Sequence, residues 1–132
     1  MRFRAVPRCL LTLPVLLALA TSAGAQDGDL YELRTYTTNP GKLGALHARF
    51  ANHTQRIFER HGMRNVAYWV PSDQADTLIY VIAHADEDAA KANWEAFIAD
   101  PEWQQVYRDS IADGALISNI DSVFMSKTTY SP

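Results

Sequence analysis

Four stretches of the chain carry the apolar pattern of β-strands, and three recur with the period of an α-helix. "LYELRTYTT" (30–38) is rich in aromatic and β-branched residues and reads as a strand, broken by Pro40-Gly41. From Lys42 to His61 the residues Leu43, Leu46, Phe50, Ile57 and Phe58 recur at helical spacing, and Gly62 stands where a helix stop belongs. "NVAYWVP" (65–71) and "TLIYVIAHA" (77–85) follow as two strands joined by the polar turn "SDQAD". "DEDAAKANWEAFIAD" (86–100) opens with acids suited to a helix N-terminus and carries Ala90, Trp94 and Phe97 on one stripe. Asp100-Pro101 then supplies an N-cap and a proline at the first helical position, restarting a helix that holds Trp103, Val106, Tyr107 and Ile111 and ends near Gly114. "IDSVFMSKTTY" (120–130) reads as the last strand.

The resulting order, β-α-β-β-α-α-β, predicts an α+β, ferredoxin-like fold: an antiparallel sheet with helices on one face. The strand at 77–85 is apolar on both alternating faces, Leu78/Tyr80/Ile82 and Ile79/Val81/Ala83. Helices of the same chain cover only one of these faces, so the other needs a second layer. The sheet of a second copy supplies it at least cost, which predicts a face-to-face homodimer, a dimeric α/β barrel. The pattern does not say which of the two faces meets the partner.

The first 25 residues stand outside this pattern. "MRFRAVPR" has three arginines and no acid, "CLLTLPVLLALA" is a short apolar run, and Ala23 and Ala25 form the A-x-A arrangement of a signal peptidase site. The segment 1–25 reads as a secretory signal peptide cleaved before Gln26, leaving one domain over 26–132. The apolar run contains Pro14 and is shorter than the roughly 20 residues of a spanning helix, so no stable membrane insertion is expected after cleavage. A periplasmic or secreted location follows. The processed chain has 107 residues, with 9 basic against 15 acidic side chains, a net charge of −6. Such a surface repels a phosphate backbone, which disfavours nucleic acid as a partner. With Cys9 removed it has no thiol and no disulfide chemistry.

Candidate chemistry concentrates in "HARFANHTQRIFERHG" (47–62), which holds three of the four histidines. On a helical wheel Leu43, Leu46, Phe50 and Ile57 mark the buried centre; Thr54 and His61 lie close to it, and His47 and His53 flank it. Arg49, Arg56 and Arg60 fall progressively toward solvent. No two of these histidines have the i,i+4 spacing of a metal-binding helix, so no metal is expected. His47 and His61 read as amphipathic packing. His53, at the edge of the stripe, is the best candidate for a catalytic or ligand-binding imidazole, since its charge changes near neutral pH.

Glu32, Arg34 and Tyr36 share one face of the first strand, where unpaired polar groups would be costly. They read either as a Glu–Arg cross-strand pair at the dimer interface or as pocket groups, with Arg34 orienting a carboxylate or carbonyl. Tyr68 and Trp94, among many rings, are candidate walls of an apolar cavity. The sequence has no Gly-rich phosphate loop, no paired cysteines, no G-x-S-x-G elbow and no EF-hand loop, and no cofactor is expected.

"YELRTYTTNPGKLGALHARFANHTQRIFERHGM", "YWVP", "LIYVIAHA", "DPEWQQVYRDS" and "DSVFMSKTTYSP" together resemble the NIPSNAP family from Tyr31 to Pro132. The resemblance implies a dimeric α/β-barrel fold, and His53 matches the histidine of the family's R-F-x-x-H-T motif. Related barrel families include cofactor-free monooxygenases, haem-degrading enzymes and small isomerases, although a shared fold does not carry a function. The leading expectation is an exported homodimeric barrel that binds a small, partly apolar molecule between sheet and helices through Arg34, Tyr36, His53, Tyr68 and Trp94. A cofactor-free monooxygenase or isomerase is the alternative, and a protein-interaction module without a small-molecule site is a third. A cavity of ~300 Å³ or more with convergent polar groups would favour the first two.

Overall fold

The computed structural model describes residues 29–132; the expected signal segment and its cleavage point lie outside them. In chain order the elements are β1 (Leu30–Thr38), α1 (Leu43–Arg49), a π turn (Phe50–Thr54), α2 (Gln55–Arg60), β2 (Arg64–Trp69), β3 (Thr77–His84), α3 (Glu87–Ala99), α4 (Pro101–Ser110) and β4 (Ile117–Met125). The sheet order is β2-β3-β1-β4 with every neighbouring pair antiparallel, the α+β ferredoxin-like topology that the element order implies.

Side chains alternate across the central strands. Glu32 and Tyr36 of β1, and Leu78, Tyr80, Ile82 and His84 of β3, point toward the helices and are buried there. The core they enter is largely aromatic: Tyr36 lies edge-on to Tyr80 at 5.2 Å, Phe50 is 5.1 Å from Tyr80, and Phe58 is 4.9 Å from Phe97. Edge-to-face and tilted ring pairs of this kind match positive ring edges to negative faces.

The histidine-rich helix is not regular. Leu46, Phe50, Thr54 and Phe58 are all buried and each is four residues from the next. In an unbroken α-helix a four-residue step overshoots a full turn by about 40°, so this series would wind away from the core. The π turn takes up the excess and keeps the four side chains facing inward. Thr54 Oγ donates to the Arg49 carbonyl (3.2 Å), five residues back, where the α-helical ladder is interrupted.

The arginines and His61 at the end of this helix serve the fold. Arg60 Nη2 and His61 Nε2 both lie 2.6 Å from Asp100 Oδ2, and Arg56 and Arg60 both bind Glu102. The other oxygen of Asp100 accepts from the backbone N–H groups of Glu102 and Trp103, the N-cap expected at the start of α4. Arg60 and His61, together with the capped amides, hold the Asp100 carboxyl well below the usual carboxylate range. His47 is exposed rather than half-buried, whereas Arg49, expected toward solvent, is only 5% exposed because α4 crosses the helix beside it. Gly62 has φ +78° and stops the helix as expected; Asn93 packs against it and donates to its carbonyl.

β4 begins three residues earlier than the pattern suggests and ends at Met125 rather than Tyr130. Its partner bounds that end: Met125 pairs with Tyr31, and of β1 only Leu30 lies beyond that pair.

Among the described residues no helix lies on the opposite sheet face. Across it Ala67, Val81, Leu33 and Val123 align in one row through all four strands, with Trp69 and Ile79 beside them. Val123 is 56% and Trp69 51% exposed, while Val81 in the middle is 9% exposed. The face left open is therefore Ile79/Val81/Ala83, the alternative that the pattern could not choose.

Candidate functional site between the sheet and the helices

Glu32, Arg34 and Tyr36 of β1 face the helices and not the open side. Glu32 and Arg34 are two positions apart on one strand, so their ion pair runs along β1 instead of across strands at an interface, at 2.6 Å from Arg34 Nη1 to Glu32 Oε1. Glu32 is 1% exposed, and each of its oxygens takes two hydrogen bonds. Oε1 accepts from Arg34 and from Ser122 Oγ (2.7 Å); Oε2 accepts from Trp94 Nε1 (2.7 Å) and His84 Nε2 (2.9 Å). Desolvation alone would raise its pKa, but the bonds from His84, Ser122, Trp94 and Arg34 outweigh burial and hold the carboxyl at about 2.

His84 is the histidine that the sequence reading passed over. Asn93 has two amide protons: one goes to the Gly62 carbonyl (3.2 Å), the other to His84 Nδ1 (3.3 Å). With Nδ1 accepting, Nε2–H points at Glu32 and both ring nitrogens are satisfied. The available signal was its register, two residues past Ile82 in the series Leu78, Tyr80, Ile82 that faces the core.

Held by Glu32, the Arg34 guanidinium lies 4.4 Å over the Trp94 ring and 5.4 Å from the centre of Tyr36. Its Nε is buried and has no acceptor among the described residues. Burial would lower the basicity of Arg34, but Tyr36, Tyr80 and the Glu32 carboxylate hold it raised. Next along the strand, the Tyr80 hydroxyl donates to that of Tyr36 (2.9 Å). Burial raises the Tyr80 phenol well above its ordinary pKa, so it stays protonated and acts as a donor. The structure thus brings Arg34, Tyr36 and Trp94 together and adds Glu32, His84, Ser122 and Tyr80.

Of the other two predicted positions, Tyr68 reaches the cluster only through Tyr80 and His53 lies elsewhere. Tyr68 stacks on Tyr80 at 5.3 Å, with its hydroxyl on Asn65. Its other side borders a surface cavity of about 190 Å³ with His47 and Trp69. His53 is half-buried in a groove of about 470 Å³ between the π turn and α4, facing Glu102 and Asp109 and not Arg34. His53→Ala should therefore cost no more than ~1 kcal/mol of stability, with Phe50→Ala as a core control at ~3–5 kcal/mol. Denaturant titration of both variants checks this; a loss in His53→Ala that matches Phe50→Ala would make the imidazole part of the core.

A further cavity of about 370 Å³ lies between the end of α4 and the start of β4, bounded by Arg49, Tyr107, Ile111, Leu116, Ile117 and Ile120. Ile120 is the register partner of Tyr36, so this cavity opens on the helix face of the sheet beside the tyrosine pair. Among the described residues no group of three His, Cys, Asp or Glu side chains is placed to hold a metal ion, and no helix is long and apolar enough to cross a membrane.

A helix-covered antiparallel sheet with a polar cluster on its covered face defines the class: an α+β protein of the ferredoxin-like, dimeric α/β-barrel type. The chain belongs to the NIPSNAP family, whose family model matches residues 31–132. Solved structures agree in fold. A NIPSNAP-like domain protein from Burkholderia xenovorans is 18% identical with a TM-score of 0.70, over 81% of this chain and 91% of that one. A NIPSNAP family protein from Agrobacterium tumefaciens is 22% identical with a TM-score of 0.70, over 80% and 94%. SnoaB of Streptomyces nogalater, a cofactor-independent oxygenase, is 15% identical with a TM-score of 0.56, over 80% and 98%. Among curated proteins none matches the chain in sequence.

Proposed function

We propose that this NIPSNAP-family protein is exported, pairs with a second copy through its open sheet face, and binds a small, partly apolar molecule between sheet and helices. The observation that carries the reading is Arg34: a guanidinium stacked on Trp94, fixed by a saturated carboxylate, with a buried Nε–H that meets no acceptor among the described residues. A buried donor left without a partner costs on the order of 1–3 kcal/mol, and a bound carbonyl or carboxylate oxygen would recover it. Planar contacts from Trp94 and Tyr36 suit an unsaturated ligand, and a cavity of about 370 Å³, within the ~300–1,000 Å³ range of ligand pockets, opens beside Ile120, the register partner of Tyr36. Glu32, His84 and Ser122 act through Arg34 and do not meet the ligand themselves.

Native mass spectrometry of protein purified from its own host tests the three parts together. The expected species is a dimer whose chains begin at Gln26, "QDGDLYEL", with a small molecule retained, and Arg34→Met should lower that retention about tenfold, the equivalent of ~1.4 kcal/mol. Chains of full 132-residue mass would overturn export, and a ligand-free complex would overturn the binding reading.

A cofactor-independent oxygenase is the second reading, and the hydroxyl pair Tyr36–Tyr80 on the covered sheet face is what favours it. SnoaB shares the fold alone. Dioxygen uptake with the retained molecule, abolished in Tyr36→Phe, would support this reading; retention without uptake would leave a binding protein.

A further inference from the structure

Arg34 and Arg49 are both buried on the helix side of the sheet, yet they differ in charge balance. Arg34 has the Glu32 carboxylate at 2.6 Å. Arg49 is 5% exposed, and among the described residues no carboxylate lies within ion-pair distance of it. Its protein partners are neutral: Nη1 donates to Ser110 Oγ (3.1 Å), and the guanidinium lies 5.3 Å from the Trp103 ring centre and 5.8 Å from that of Tyr107. Its Nε is buried without an acceptor among the described residues. Burial lowers the basicity of Arg49, and Tyr36, Tyr107 and Tyr80 offset only part of that; the guanidinium remains charged at any physiological pH. A buried cation without a counter-charge is expensive, and such groups are normally paired.

The counter-charge has a place to sit. Among the described residues Arg49 is the one charged side chain lining the cavity of about 370 Å³ between α4 and β4, whose other walls include Tyr107, Ile111, Leu116 and Ile120. The groove on its other side, toward His53, already contains the carboxylates of Glu102 and Asp109 and would repel an anion. We propose that the α4–β4 cavity binds an amphipathic organic anion, a carboxylate or its like, with the charge on Arg49 and the apolar body against Ile111, Leu116 and Ile120. This deepens the binding reading above and rests on it. Arg34, already neutralised by Glu32, can offer only a hydrogen bond; Arg49 brings the uncompensated positive charge and so selects the sign of the ligand.

A matched pair of fluorescent probes tests the inference on the full chain: anilinonaphthalene sulfonate and its neutral parent, phenylnaphthylamine. Wild-type protein should bind the sulfonate at least about tenfold more tightly than the neutral parent. Arg49→Met should erase that preference while leaving neutral-probe affinity intact, Arg49→Lys should keep most of it, and Arg64→Met, exposed on β2 and outside the cavity, should leave it unchanged. A structural role for Arg49 would lower stability without altering the ratio of the two affinities, so the ratio is the readout. Should Arg49→Met be insoluble, Arg49→Gln serves in its place with the same expectation. Equal binding of both probes by wild type, or a preference that survives in Arg49→Met and Arg49→Gln, overturns the anion site and spares the binding reading. Binding of neither probe by wild type overturns both.

Discussion

Glu32→Ala should lower the free energy of unfolding by roughly 3–5 kcal/mol, the cost of removing one partner from a buried, hydrogen-bonded ion pair. The substitution strips acceptors from four donors at once: Arg34, Ser122, Trp94 and His84. The largest part of the loss is the Arg34 charge left buried without its partner, so the double variant Glu32→Leu/Arg34→Met should recover much of it, as apolar replacements of buried ion pairs commonly do. Denaturant titration of the single and double variants reads both numbers and their coupling. A loss below ~1 kcal/mol for Glu32→Ala would mean that water enters and re-solvates the cluster.

The same carboxylate ties stability to acid. Its folded pKa of about 2 lies below the ordinary 4.5, so its contribution is fully present above about pH 5. That contribution is lost as the pH falls from there toward 2, by roughly 2–3 kcal/mol in all. Asp100 and Glu102 are shifted in the same direction, so the measurement is the difference between wild type and Glu32→Gln across that window. Wild type should lose more stability than the variant on acidification; parallel curves would show that Glu32 gains nothing from its partners.

Val81→Lys should abolish the dimer. The row Ala67–Val81–Leu33–Val123 crosses the open face, and Val81 sits in its middle, between residues of both adjacent strands. A lysine at the edge could reach solvent along its own stem, but from the centre of a packed face its ammonium would be trapped. Wild type should sediment at twice the monomer mass, unaffected by salt because the contact is apolar, over an interface of at least ~1,200 Å². Val81→Lys should yield monomer or insoluble protein. Ala96→Lys, exposed on α3, should leave the dimer intact. Wild-type protein that stays monomeric at micromolar concentration would reject the face-to-face barrel.

The elements and their order were legible in the chain because each rests on local physics. The aromatic and β-branched runs of 30–38 and 77–85, the acids opening α3, the Asp100-Pro101 restart and the Gly62 stop all act within a few residues of themselves. The need for a second layer over the sheet was also local, since both faces of β3 are apolar in sequence. Arg34, Tyr36 and Trp94 could be nominated for the same reason: rings and polar groups sit on faces that ought to be buried. Tyr68 and His53 were nominated on equal grounds, yet Tyr68 reaches the cluster only through Tyr80 and His53 stands elsewhere, because a wheel or an alternation assigns a face and not the neighbour across it.

Tertiary structure decided the rest. Glu32 meets His84, Trp94 and Ser122 across 52, 62 and 90 residues of sequence, and those meetings depend on strand register. A slip of one residue would turn each strand's contribution to the opposite face, and nothing local forbids it until the core is packed. The π turn likewise follows from holding Leu46, Phe50, Thr54 and Phe58 against one sheet, a condition that no isolated helix meets. Arg49 looked solvent-facing because its own helix leaves it outside the apolar stripe. It is buried because α4, more than fifty residues further along the chain, lays Trp103, Tyr107 and Ser110 over it.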